Sequence, residues 1–189
     1  MNQLGLGIFI GQASSDDLIN LDQATLDVFE AAGQSHRDDY HFFIVQEAGD
    51  IIMEIDFQRS KVNGAAIIYI HPGQVHRMLS FKNIKTSFLA IRSESVRPEY
   101  LELLHNIAPA KPIGLRKEDL ILLSEMVTLC MRLSERKDER LHHSFLKDSC
   151  NAFIGLVVSQ YLKQSKSLEK WTRPEVINKA SKQNWNTTL

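Results

Sequence analysis

The spacing of apolar residues divides the chain into two parts. Up to about residue 95, apolar residues come in short runs rich in β-branched and aromatic types, at 26–29, 42–45, 51–55, 65–70 and 86–91. Turn-forming residues separate them: Glu47-Ala48-Gly49-Asp50, Asn63-Gly64 and Pro72-Gly73. Runs of this length between such signals predict strands, and their number predicts a sandwich or barrel of mainly antiparallel pairs. Alternation is loose in one place. Met53, Ile55 and Phe57 share one parity with Asp50, Glu54 and Asp56 on the other, yet Ile51 and Ile52 are adjacent. Asn63-Gly64 is the strongest short-range turn signal, because both residues tolerate positive φ. The glycines of Gly5-Leu6-Gly7-Ile8-Phe9-Ile10-Gly11 have the wrong spacing for a dinucleotide fingerprint, and that segment predicts a further strand.

Beyond residue 95 the period becomes helical. Pro98 suits a first helical turn, where its missing N–H costs nothing, and a short helix is expected over 99–106. Residues 108–112 form a Pro- and Ala-rich linker. Lys117-Glu118-Asp119 opens a helix to about 136, with acids in its first turn and bases in its last, as the macrodipole favours. Asp138 is the expected N-cap of a longer helix ending near 164. Both long helices carry more apolar surface than one face needs. In the second, Phe145, Phe153, Leu156, Val157 and Tyr161 recur on neighbouring faces, and Ile154 and Val158 widen the surface. A helix apolar nearly all round is covered on more than one side, so these five residues are the expected homodimer interface.

Composition narrows the function classes. Of 189 residues, 43% are hydrophobic and 24% charged, an ordinary globular balance, and the net charge of −1 gives no whole-chain basic field for nucleic acid. Cys130 and Cys150 are too few for a disulfide framework or a four-thiolate zinc site, and fall in apolar helical segments as expected buried thiols. Nothing in the sequence has the length of a membrane span or the pattern of a signal peptide, so the expected compartment is the cytoplasm.

The chemistry-bearing residues cluster in two places, His36-Arg37-Asp38-Asp39-Tyr40-His41 with Glu47 nearby, and His71-Pro72-Gly73-Gln74-Val75-His76. The order and spacing of the first cluster, Asp56-Phe57, and Pro72-Gly73-Gln74-Val75-His76, followed by the helical pair, resemble AraC-like transcription regulators, especially those of Bacteroides-type bacteria. The resemblance spans residues 20–170. It implies an N-terminal cupin-like β-barrel that senses an effector, then a helical dimerisation element. Metal-binding cupins usually present His-x-His and a Glu from the first motif and a His from the second. Here Asp38 stands at the second position, so no metal or other cofactor is expected, although His36, Asp38, Glu47 and His76 could make a mixed N/O set.

The fold class expected is α+β, a cupin-like antiparallel barrel over 1–95 followed by a helical dimerisation segment over 96–170. Residues 171–189, opening with Trp171-Thr172-Arg173-Pro174, would begin or link to a DNA-binding region that this chain lacks. The chain itself is then expected to contact DNA only through such a region. A small polar effector, sugar-like, is expected near Tyr40, His41, Gln74 and His76, with no catalytic residues. Two alternatives stand beside it: a metal-dependent cupin enzyme, such as an isomerase or dioxygenase, resting on His36, Asp38, Glu47 and His76, or, if the truncation is natural, a truncated regulator acting through mixed dimers.

Overall fold

The computed structural model describes residues 7–14, 33–108, 111–136 and 141–164. The strand expected over 26–29, the Asp138 cap and the segment 171–189 lie outside them. Six strands, β1 (Ile8–Ser14), β2 (His41–Ile55), β3 (Gln58–Asn63), β4 (Ala66–Ile70), β5 (His76–Ile91) and β6 (Ile113–Gly114), form one antiparallel sheet. The α-helices among the described residues that belong to the second part of the chain are α1 (Pro98–Ile107), before β6, and α2 (Lys117–Glu135) and α3 (His142–Gln164), after it. None of the described helices is long and apolar enough to cross a membrane. The sheet order is β1-β5-β2-β4-β6, with β3 also on β2.

The expected closed barrel is not formed among the described residues. The ladder runs from β1 at one edge to β6 at the other, and β6 is two residues long, too short to carry a closing ladder. Curvature comes instead from irregular pairing between β2 and β5. Glu47 has no opposite number between the pairs Gln46↔Thr86 and Ala48↔Lys85, and Asn83 and Ile84 face Gly49 alone. An extra residue bends a strand and moves its later side chains to the other face. Before the bulges, Phe43 and Val45 join one core cluster while Phe42 and Ile44 pack on a second. After them, Ile51, Met53 and Ile55 belong to the second. This parity change accounts for the loose alternation in the sequence.

Asn63-Gly64 is not a chain reversal. β3 pairs with the far half of β2 and β4 with its near half, both antiparallel to it, so the chain keeps its direction through Asn63-Gly64. The reversal is one element earlier, at Asp56-Phe57, where φ is 46° and 64° between the paired residues Ile55 and Gln58. Two consecutive positive φ values make the I′ geometry that suits strand twist. Buried Gln46 steadies the break by donating to the carbonyls of Gly49 (2.8 Å) and Gly64 (2.9 Å).

The helices cover one face of the sheet. Leu123, Val127 and Cys130 of α2, with Leu146, Cys150, Phe153, Ile154, Val157, Val158 and Tyr161 of α3, pack on Ile8, Phe43, Val45, Ile67, Tyr69, Leu89 and Ile91. The other face holds Ile51, Met53, Ile55, Val62, Ala66, Ile68, Ile70 and Ile84. The apolar surplus of α3 therefore has a different cause from the one expected. α3 is a central helix, sharing one core with the sheet, α1 and α2. Phe153 and Val157 are fully buried within the chain and Tyr161 nearly so, with Phe153 edge-on to Phe43 and the Tyr161 hydroxyl directed at the Ile67 carbonyl (3.5 Å). Leu156 is partly buried against the same core, and Phe145 is 46% exposed. Cys130 and Cys150 are buried, as expected, and face one another; hydrogen bonding to Cys130, then burial, raises the Cys150 thiol well above its ordinary pKa.

Candidate functional site at the His36–His76 bridge

His36 and His76 meet at an isolated antiparallel bridge, with reciprocal N–H···O bonds of 3.1 and 3.0 Å. The loop before His76 folds as its sequence requires. Gln74 N–H donates to the His71 carbonyl (3.1 Å), and Gly73 at φ 80° follows Pro72, a type II turn. Gly73 N–H also donates to the Asp38 carbonyl (2.9 Å), which ties the first motif to the second. Asp56 completes the brace. Its carboxylate accepts from Val75 N–H (3.0 Å) and the Gln74 amide (2.7 Å), while the Gln74 side-chain oxygen accepts from His71 N–H (2.8 Å). Asp56 thus positions the loop that presents His76.

The two imidazoles converge on Asp38. Their Nε2 atoms lie 3.6 Å (His36) and 3.5 Å (His76) from one Asp38 oxygen, and the ring centroids are 4.3 Å apart. Each Nδ1 lies against a backbone carbonyl, Gln34 at 2.9 Å and Gln74 at 3.1 Å. A carbonyl only accepts, so in the neutral ring the proton is on Nδ1 and the Nε2 lone pair is free. Burial holds His76 below the usual imidazole range, against the opposing pull of the Gln74 carbonyl, Asp38 and Asp56. His36, Asp38 and His76 are the described His, Cys, Asp and Glu side chains whose donor atoms converge closely enough to share a cation, all within 4.8 Å. Glu47, the fourth residue of the mixed set, is not with them. It sits at the β2 bulge and pairs with Lys85 at 2.6 Å.

The residues expected to surround an effector have separate partners. His76 packs on Phe42 and stands beside His36 and Asp38. Gln74 is held by Asp56 and His71 in the adjoining turn. The Tyr40 hydroxyl accepts from Arg92 Nε (3.2 Å), and its ring meets the edge of Phe9. His41 points into the helix-side core, with Nδ1 2.9 Å from the Tyr69 hydroxyl and Nε2 3.1 Å from the Ser93 hydroxyl. Its ring lies beside His71, whose ring is near His105. Of the adjacent pair on α3, His142 is buried and His143 exposed.

Burial, then the neighbouring His71, lowers the His41 pKa to about 4. The unfolded chain binds this proton near the ordinary value of about 6.5, so between the two values the unfolded state is the more protonated. The stability that neutral His41 contributes is thus present above about pH 6.5 and is lost as pH falls through about 4, by about 3 kcal/mol in all. Urea denaturation across this range is expected to show that slope, and a His41→Gln variant is expected to lack it.

No protein-family model matches the sequence. No curated protein sequence matches it either. Among solved structures, the chain is similar to the AraC-like transcriptional activator CuxR, at 10% identity and a TM-score of 0.46, over 93% of this chain and 67% of that one. It is similar to apo ToxT from Vibrio cholerae at 13% identity and a TM-score of 0.43, over 82% of this chain and 57% of that one. A conserved protein of unknown function from Streptococcus pyogenes matches at 13% identity and a TM-score of 0.28, over 31% of this chain and 52% of that one. The chain thus spans little more than half of two of these structures and two thirds of the third. Likenesses this distant leave its function to be argued from its own residues.

Proposed function

We propose that this chain is the effector-sensing and dimerisation part of an AraC-like transcription regulator. The observation that carries the reading is the junction of His36-Arg37-Asp38-Asp39-Tyr40 with Pro72-Gly73-Gln74-Val75-His76 at one end of a curved sheet, ahead of a helical pair. In this reading residues 1–95 are a cupin-like sensor, 96–170 the dimerisation segment, and 171–189 lead toward a DNA-binding region. The effector is small and polar, such as a sugar or sugar acid. It binds at the mouth formed by His36, Asp38, His76 and the Gln74 turn, because the strand face beyond that mouth is lined with aliphatic side chains. Tyr40 and His41, committed to Arg92 and Tyr69, brace the neighbouring structure.

Of the five residues singled out on the second long helix, the dimer surface in this reading keeps only Phe145, because Phe153, Val157 and Tyr161 are buried within the chain and Leu156 is partly buried against its core. Ile121, Leu122 and Leu129 on α2, with Leu141 just before α3 and Phe145 in its first turn, are each 44–55% exposed. Leu122 and Leu129 are seven residues apart, with Met126 between them, so they share a helix face. A second copy related by a two-fold axis would cover that face with its own equivalent, the commonest arrangement among soluble oligomers. Effector binding would then bias two arrangements of the pair through its different affinity for each.

The effector reading is tested by a thermal-shift screen of sugars and sugar acids on the native chain. The expected result is a concentration-dependent rise in melting temperature that is lost in Asp38→Asn and His36→Ala. A rise that survives both substitutions would place the effector elsewhere.

A further inference from the structure

We infer that His36, Asp38 and His76 form a binding site for a divalent transition-metal ion, with Asp38 as the third ligand. The presence of Asp38 in place of a histidine, taken by itself, argues against a metal. The geometry reverses that. Asp38 offers a single oxygen 3.6 and 3.5 Å from two imidazole Nε2 atoms. In a tetrahedral zinc site with bonds of about 2.0–2.1 Å, neighbouring donors are about 3.3–3.4 Å apart; both contacts to Asp38 are already close to that spacing, and all three donors lie within 4.8 Å of one another.

Three further features fit a cation. Each Nδ1 is already occupied by a backbone carbonyl, the outer contact that orients a metal-bound histidine and aims its Nε2 inward. The reciprocal bridge between His36 and His76, and the bond from Gly73 to the Asp38 carbonyl, fix the backbone of all three ligands before any ion arrives. Without a cation, two lone pairs and a carboxylate oxygen face one another, an arrangement that like partial charges disfavour.

Two imidazoles and a carboxylate suit first-row divalent ions such as zinc, and three protein ligands leave coordination positions for water or a polar ligand. His36 and Asp38 are 36% and 40% exposed at their side chains, so the ion has a path in, while buried His76 anchors the inner side. The metal site does not depend on the chain being a regulator, and its test uses no effector.

The test is titration of the native 189-residue chain with zinc by calorimetry, and with cobalt(II) by its visible absorption. The expected result is one equivalent bound, a cobalt spectrum with imidazole ligation, and a zinc-dependent rise in melting temperature. Asp38→Asn and His36→Ala, both at partly exposed positions, should keep the circular dichroism of the native chain and weaken zinc by at least about tenfold. His143→Ala, on the exposed side of α3, should leave binding unchanged. No binding at millimolar zinc would overturn the site, as would an affinity that Asp38→Asn and His36→Ala leave intact.

Discussion

Asn151→Leu is expected to lower the unfolding free energy by about 2–5 kcal/mol, since each buried group left without its partner costs about 1–3 kcal/mol. Asn151 is 1% exposed in the middle of α3, among apolar neighbours. Its amide donates to the Ser95 carbonyl (3.0 Å) and the Lys147 carbonyl (2.8 Å), and its oxygen accepts from Arg97 N–H (2.7 Å). Those bonds tie the end of the sheet region to the start of α1 and both to the central helix. Leucine is of similar size, so the cavity term is small and the loss is mainly polar. The Arg97 N–H, just before the first turn of α1, loses its acceptor and the Ser95 carbonyl loses this donor. Urea denaturation of native and variant chains measures the difference. A loss below about 1 kcal/mol, the net worth of a single ordinary hydrogen bond, would mean that water replaces these bonds and that the junction is not a structural tie.

The second large effect is at Gly49, where φ is +86°. A Cβ there would strike the backbone oxygens of Lys82 and Asn83 on the facing strand, and neither can move like the tip of a flexible side chain. Gly49→Ala is expected to cost about 2–4 kcal/mol, from the left-handed backbone and the clash together. Gly64 supplies the control. Its φ is +69°, but a Cβ there meets nothing within 4 Å, so Gly64→Ala should pay only the conformational part, about 1–2 kcal/mol. Equal losses in the two variants would show that the close passage of β2 across β5 is not needed for the bend.

The two substitutions mark where the sequence stops being readable. Helix boundaries were legible because they depend on local chemistry. Pro98 opens α1, and Lys117-Glu118-Asp119 opens α2, where expected. The runs at 42–45, 51–55 and 86–91 fall in strands, and the run at 65–70 does so from Ala66 onward. The bend was not legible, because a one-residue slip depends on which residue of the facing strand it meets, and Asn83 and Ile84 are far from Gly49 in the chain. The turn at Asp56-Phe57 was obscured by the stronger local signal at Asn63-Gly64, which the pairing of both flanking strands with β2 turned into a mere break. The coverage of α3 by three neighbours cannot be read from its own apolar pattern, which is the same for a central helix as for an interface helix.

The site was legible in part. The two motifs were recognisable, and three of the four residues of the mixed N/O set do converge. Glu47 was separated from them by the bulge it occupies, which turns it to Lys85. Asp56 appeared only within a motif, and its role in bracing the Gln74 turn depends on a contact across the hairpin. Asn151 carried a signal that was overlooked, since a polar side chain within a buried apolar stretch of helix must find partners.

Pairing of two chains through the outer face of the helical segment, as proposed above, is read from the mass of the native protein in solution. Light scattering or sedimentation at micromolar concentration is expected to give twice the mass of the chain. Leu122→Glu with Leu129→Glu should give the mass of one chain, with the native circular dichroism retained, because both positions are 44% exposed and outside the core. A native protein with the mass of a single chain throughout the micromolar range would rule out this pairing.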